Sequence, residues 1–315
     1  NQDVMEKNSL LQTHQLAVGY SKNNPLFKNL DLTLREGEMV CFMGPNGIGK
    51  STLIRTIAGL QNPLVGKISE TNERKIAVVL TDRVSALHMN VWELITYGRY
   101  PYLDWTISLR EEDHAVIELA VSTVRIQHLL NKKLYELSDG QMQLVMIARA
   151  LTQQTPVLLL DEPTAHLDLN NRVEIMNLLR RLARVEGKTI LIATHELDLA
   201  LQTADLIWLA MPDKSIKTGM PEDLVLDGSI DEVFQFKGFD LKSGKVEHQS
   251  YRGIKIKLVG EGSIFLWTKN ALERSGFEVN DEEGIEVTVS QNQWIANGKH
   301  FLTIALLLAE LKSTR

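Results

Sequence analysis

Cysteine is almost absent. Cys41 is the only one in 315 residues, so no disulfide can form within the chain, as suits a reducing cytosol. Long apolar runs are missing too. No stretch approaches the roughly 18 consecutive apolar residues of a membrane-crossing helix, so direct membrane insertion is not expected. The first residues hold no basic segment followed by an apolar run, and no secretory signal is expected. Positive charge is not in excess: 34 Lys and Arg against 40 Asp and Glu leave a net charge of −6 and a pI near 5.8. That argues against a partner held by bulk electrostatics, so no nucleic acid is expected. What remains is an ordinary globular composition, 44% apolar and 23% charged, sufficient for one large domain and a small one.

The chain is organised around Gly44 to Thr52, GPNGIGKST. Gly44, Gly49, Lys50 and Ser51 satisfy G-x-x-x-x-G-K-[ST], the P-loop pattern. The apolar run Met39–Met43 before it predicts a buried strand, and Thr52–Ile57 after it predicts a helix, which is the context the motif requires. Glycines without Cβ let backbone amides curl around a phosphate chain, here those of Asn46, Gly47, Gly49, Lys50, Ser51 and Thr52. The helix N-terminus favours the same anion. Lys50 would reach the β- and γ-phosphates of ATP, and the Ser51 hydroxyl would ligate Mg²⁺.

Val157–Leu160 is an uninterrupted apolar strand that ends in Asp161 and Glu162. Such a strand implies a sheet covered on both faces, and the C-terminal ends of its strands are where α/β folds bind ligands. Asp161 is expected to hold Mg²⁺ opposite Ser51, and Glu162 to orient or deprotonate an attacking water. Thr189–Thr194 repeats the arrangement and delivers His195, a candidate γ-phosphate ligand. Leu16–Tyr20 predicts a strand ending in a turn, where Tyr20 is either a packing residue or a ring on which adenine stacks. Leu30–Leu34 alternates like one half-exposed strand, and Arg74–Leu80 predicts another strand.

Between residues 84 and 154 the periodicity becomes helical, which predicts a helical subdomain inserted into the α/β core. Its last helix opens at Leu137-Ser138-Asp139-Gly140-Gln141. Ser138 and Gln141 there fit an S-x-x-Q capping box.

Together these pieces resemble the ATP-binding subunit of an ABC transporter over residues 12 to about 225. Gly44–Thr52 is similar to Walker A, Val157–Glu162 to Walker B with its catalytic glutamate, and His195 to the switch histidine. Leu137–Gln141 resembles the signature, with Asp139 in place of a glycine. Ala165-His166-Leu167-Asp168 resembles the D-loop, and Tyr20 the adenine-stacking aromatic. The resemblance implies a head-to-tail homodimer in which Ser138, Gly140 and Gln141 close the ATP site of the partner copy. It also implies an integral membrane permease as partner, with this chain cytoplasmic and peripheral on the inner face of the membrane. Val91–Leu94 followed by Gly98-Arg99-Tyr100-Pro101-Tyr102 is similar to the permease-facing segment of importers for iron chelates, haem and cobalamin. Where the family carries a glutamine, this chain has Thr81, followed by Asp82, which makes Thr81 a candidate metal contact. The rival function is a soluble, nucleotide-gated binding module with little turnover.

The resemblance stops near Ser229, so the expected domains are residues 1–228 and 229–315. Beyond that point a small α+β module is expected, in the order β-α-β-β-α. Asn297-Gly298 predicts a turn before the last helix, and Gly260-Glu261-Gly262 a plain turn between strand and helix. Self-association and control of the ATPase are the open roles for this module. The expected fold is thus α/β, a P-loop NTPase core with a helical insertion and an α+β appendage.

Overall fold

Thr13 explains why the stretch around Leu30 is two strands and not one. It lies in β1 (Ser9–Val18), and its Oγ1 accepts from the Leu32 N–H and donates to the Leu30 carbonyl, both at 2.8 Å. The chain there divides into β2 (Phe27–Leu30) and β3 (Thr33–Arg35), each antiparallel to β1. In the computed structural model, the structure describes residues 8–70, 76–81, 88–103, 108–235, 239–240, 245–246, 250–290 and 293–313.

β4 (Met39–Met43) is buried at every residue and runs through the P-loop into α1 (Lys50–Ile57). β5 (Val65–Glu70) returns to pair antiparallel with β1. β6 (Ile76–Val79) is the strand anticipated at Arg74–Leu80, and Arg74 itself lies outside the described residues. Helices then dominate, in α2 (Val91–Thr96), a 3₁₀ segment at Tyr97–Tyr102, α3 (Glu111–Val124) and α4 (Asp139–Leu151). All of them fall inside the insertion expected at 84–154. The core resumes with β7 (Val157–Asp161), α5 (Leu169–Arg184), β8 (Thr189–Thr194), α6 (Leu197–Thr203), β9 (Leu206–Ala210), β10 (Ile216–Gly219), α7 (Pro221–Leu226) and α8 (Ser229–Phe234).

The central sheet has the order β10-β9-β4-β8-β7-β6, parallel from β9 to β6 with β10 antiparallel at one edge. Its apolar side chains, including Val40, Phe42, Leu159, Leu191 and Trp208, merge with Leu16, Phe27 and Leu34 of the antiparallel sheet in one core. Because β4, β6, β7 and β8 run parallel, Gly44, Thr81, Asp161 and His195 emerge from the same edge of the sheet. Among the described residues, no helix is long and apolar enough to cross a membrane.

The chain divides into two units, residues 1–235 and 236–315. The division falls later than the boundary expected after residue 228, because α8 packs against α7 and buries Ile230 and Val233 in the first unit. In the second unit, short strands β11 (Phe239–Asp240) and β12 (Lys245–Val246) pair with each other. A five-stranded sheet follows, built from β13 (Lys255–Val259), β14 (Glu278–Asn280), β15 (Ile285–Ser290), β16 (Gln293–Ala296) and β17 (Lys299–Phe301) in the order β14-β13-β15-β16-β17. α9 (Gly262–Arg274) and α10 (Ile304–Ser313) pack on it around Ile256, Leu272, Phe277, Val287 and Leu307. Among the described residues the module therefore holds four strands more than the expected β-α-β-β-α, namely β11, β12, β14 and β17. Asn297 and Gly298 have φ of 50° and 74° and join β16 to β17, so their turn is a two-residue hairpin.

Candidate active site

The site forms where β4, β6, β7 and β8 end. Gly49 caps α1 at φ 111°, a conformation that favours glycine, and a Cβ there would meet Leu26 Cδ1 at 2.8 Å, so the Leu26 side chain would have to move. Asn46, Gly47 and Ser51 are exposed, whereas Lys50 and Thr52 are buried. The Lys50 ammonium donates to the Gly44 carbonyl at 2.9 Å and the Pro45 carbonyl at 3.2 Å, folding back over its own loop. Burial pushes its pKa down, and the Glu162 and Asp161 carboxylates oppose that shift. Tyr20 is 81% exposed, and its hydroxyl lies 3.2 Å from Thr52 Oγ1. Its ring thus stands free beside the first turn of α1.

Asp161 is 2% exposed. Burial raises its pKa, the Ser51 hydroxyl lowers it, the Glu162 charge raises it and the Thr81 hydroxyl lowers it. Thr81 Oγ1 donates to Asp161 Oδ2 at 3.3 Å, while Asp161 Oδ1 is buried with no hydrogen-bond partner. A buried carboxylate oxygen left unpaired is costly unless something binds it. Hard oxygen donors with room for water are what Mg²⁺ selects, so Asp161, Ser51 and Thr81 fit that ion. Among the described residues, no group of three or more His, Cys, Asp or Glu side chains is arranged to hold a metal. Asp82 lies outside the described residues.

Glu162 sits at φ 49°, with its N–H donating to the Ala193 carbonyl of β8 at 2.8 Å. Its Oε1 is 3.8 Å from the Lys50 ammonium, and its Oε2 is 3.3 Å from His195 Nδ1. The structure thus brings Lys50, Ser51, Thr81, Asp161, Glu162 and His195 together in one linked group.

The signature segment is organised within its own turn. The Gln141 N–H donates to Ser138 Oγ at 3.3 Å and the Ser138 N–H to Gln141 Oε1 at 3.2 Å, the capping box read from the sequence. Gly140 is buried, and a Cβ there would lie 2.9 Å from the Asn171 side chain. Asp139 is exposed in the first turn, where a carboxylate favours the helix dipole.

Sequence reasoning named Arg99 only as part of the permease-facing segment and passed over Arg172 and Glu196. Arg99 is 6% exposed and ties the 3₁₀ segment to both neighbouring helices. Its Nε donates to Asp113 Oδ1 at 2.8 Å, and its Nη1 to the Thr152 carbonyl at 2.9 Å and Gln154 Oε1 at 2.8 Å. Glu196 directly follows His195, and Arg172 lies one helical turn beyond Asp168. These positions were the available signals.

A family model described as ABC transporter matches residues 27–165. An uncharacterized ABC transporter ATP-binding protein of Methanocaldococcus jannaschii is 36% identical over 260 residues, covering 76% of this chain and 89% of that relative. The chain belongs to the ABC transporter family. It is an ATP-binding member and an ATPase. The petrobactin import ATP-binding protein FpuD of Bacillus anthracis is 33% identical over 239 residues, covering 72% of this chain and 87% of that protein. A solved inward-facing ABC transporter of metal-chelate type superposes with a TM-score of 0.67 at 29% identity, over 72% of this chain and 90% of that one. A cassette solved as a dimer in a post-hydrolysis state, bound to ADP and Pi, gives a TM-score of 0.57 at 26% identity, over 67% of this chain and 99% of that one. The second unit is recognised as well: residues 253–312 match the iron ABC transporter C-terminal domain.

Proposed function

We propose that this ABC ATPase energises import of an iron chelate through a separate membrane permease, working as a head-to-tail homodimer at the inner face of the membrane. One observation carries the cargo class. The cassette is similar to a petrobactin import protein, and the second unit of the same chain matches an iron transporter C-terminal domain. That favours an iron chelate over haem or cobalamin, the other cargoes implied by the helical insertion. The dimer rests on the cassette solved in that state.

ATP enters with its adenine on the exposed ring of Tyr20 and its phosphates in the amides of Asn46, Gly47, Gly49, Lys50, Ser51 and Thr52. Lys50 exchanges its contacts with the Gly44 and Pro45 carbonyls for phosphate oxygens. Asp161 and Ser51 would hold Mg²⁺, with the Thr81 hydroxyl steadying the Asp161 carboxylate, and the ion would supply charge neutralisation at the phosphates. Glu162 takes a proton from the attacking water, a contribution of about 10²–10⁴ in rate. His195, 3.3 Å from Glu162, orients that carboxylate and donates to the γ-phosphate. Ser138, Gly140 and Gln141 of one copy close over the ATP of the other, where a capped helix N-terminus faces an anion.

The test uses the full chain expressed in cells, with purification from solubilised membranes and radiolabelled ferric siderophore uptake. An integral membrane partner should copurify, and E162Q should abolish uptake. Uptake that is indifferent to E162Q overturns this reading.

A further inference from the structure

The Glu162–His195 pair is closed into a ring by two side chains outside the nucleotide motifs. From Glu162 the backbone makes two turns, with the Ala165 N–H donating to the Glu162 carbonyl at 3.1 Å and the Leu167 N–H to the Thr164 carbonyl at 3.3 Å. Arg172, in the first turn of α5, then grips the end of this loop. Its Nε donates to the Leu167 carbonyl at 2.7 Å, and its Nη1 to Glu196 Oε2 at 2.8 Å. Glu196 is the residue after His195, and its N–H donates to Thr194 Oγ1 at 3.0 Å, which fixes the chain where β8 ends. Its other oxygen, Oε1, lies 4.0 Å from His195 Nε2. The far side of the same imidazole, Nδ1, faces Glu162 Oε2 at 3.3 Å and completes the ring.

We infer that Arg172 and Glu196 are positioning residues for hydrolysis, holding the 162–168 loop and the His195 imidazole in register so that the Glu162 carboxylate stays aimed at its water. This rests on the roles proposed above for Glu162 and His195. Three features support a positioning role over a surface ion pair. The Glu196 side chain is only 17% exposed and the Arg172 side chain 34%. The guanidinium is bound at two different nitrogens, so its plane is fixed. And the contact joins two segments, 162–168 and 194–196, that each carry one member of the reacting pair. Misplacing a catalytic group by about 1 Å costs roughly a hundredfold in rate, whereas nucleotide affinity depends chiefly on the P-loop, which neither Arg172 nor Glu196 contacts.

The experiment compares R172M, E196Q, the double variant and the charge-swapped R172E/E196R in the full chain. ATP binding is read with a fluorescent analogue and thermal midpoint, and hydrolysis by steady-state phosphate release, with E162Q and H195A alongside. The expected result is a fall in kcat of about ten- to hundredfold in each single variant, with ATP affinity unchanged within about twofold. The double variant should be no slower than the singles, and the swapped pair should regain part of the rate. R172M and E196Q hydrolysing at the parental rate while E162Q and H195A are slow would overturn the positioning role alone. Parental rates in E162Q and H195A would instead overturn the roles on which it rests. A loss of rate matched by an equal loss of ATP affinity or of thermal midpoint would make the ring merely structural and also overturn the proposal.

Discussion

Thr81 and Asp161 divide the labour of one carboxylate: the Thr81 hydroxyl engages Oδ2 at 3.3 Å, and Oδ1 is left buried and unpaired. A glutamine at this position would carry its amide past the carboxylate toward the cation, whereas the shorter, β-branched threonine stops at the carboxylate itself. Thr81→Val keeps the shape and removes the donor. It should weaken the Mg²⁺ dependence of ATP binding by about 10–100-fold, and Thr81→Gln should tighten it, both with unchanged nucleotide affinity in chelator. Mg²⁺ titrations against a fluorescent ATP analogue check this. Superimposable curves for all three proteins would remove Thr81 from the metal's surroundings.

Glu162→Gln should slow hydrolysis by about 10²–10⁴, a barrier rise of roughly 3–5 kcal/mol, and leave ATP binding intact. In the variant Lys50 loses its 3.8 Å ion pair with Glu162 but keeps its hydrogen bonds to the Gly44 and Pro45 carbonyls. Steady-state phosphate release and equilibrium nucleotide binding on the same preparation separate the two effects. Hydrolysis at the parental rate would contradict the assignment of Glu162 as base.

Gly98→Ala tests the join between the 3₁₀ segment and α4. The added Cβ would fall 1.9 Å from Thr152 Oγ1 and 2.3 Å from the Arg149 carbonyl oxygen, so the backbone must shift. The expected cost is about 1–3 kcal/mol in urea unfolding. An unchanged midpoint would show that the helices can move apart freely.

Asp113 should make the same subdomain acid-sensitive. The Arg110 backbone N–H, foremost, and the Arg99 guanidinium hold its carboxyl below the usual carboxylate range, against the opposing effect of burial. A pKa lowered by folding stabilises the native state above the unfolded value, about 3.9, and that contribution is lost as pH falls through the lower folded value. Asp113→Asn removes the charge and should cost at most about 3–5 kcal/mol near neutrality. The stability gap between the two proteins should hold from pH 7 to 5 and shrink below about pH 4. A gap independent of pH would mean that the charge of Asp113 contributes nothing.

Cutting the chain after Gln235 should leave a cooperatively folding protein whose thermal midpoint rises with Mg-ATP, because the first unit is complete at that residue. Cutting after Gly228 strips α8 and exposes the surface that Ile230 and Val233 cover, at 0% and 9% exposure. Calorimetry on both fragments should show the shorter one less stable by about 2–4 kcal/mol. Equal midpoints would return α8 to the second unit.

The parts legible in sequence are those where local pattern and tertiary fate coincide. Met39–Met43, Val157–Leu160 and Ile190–Ala193 are apolar throughout and buried throughout, so their ends, and the polar residues delivered there, were placed closely. β5 was missed because Lys67, Ser69 and Glu70 give no apolar rhythm, and what makes it a strand is its pairing with β1. The division at Leu30–Leu34 depends on a hydroxyl at Thr13, and the Arg172–Glu196 contact spans 24 positions. Neither follows from spacing along the chain. β14 and β17, three residues each, are edge strands recruited by the sheet beside them.

Cys41 lies in the middle of β4 at 0% exposure, between β8 and β9, and burial together with the Asp205 charge pushes its thiol up to about 12. Thiolate, not thiol, is the nucleophile that attacks maleimides and thiol-reactive spin labels. The chain therefore offers a blank chemical background: a single cysteine introduced at an exposed position away from the site, such as Val185 after α5, would take one dye per copy. Distances between two such dyes could then follow opening and closing of the nucleotide sandwich, with no native thiol to remove first.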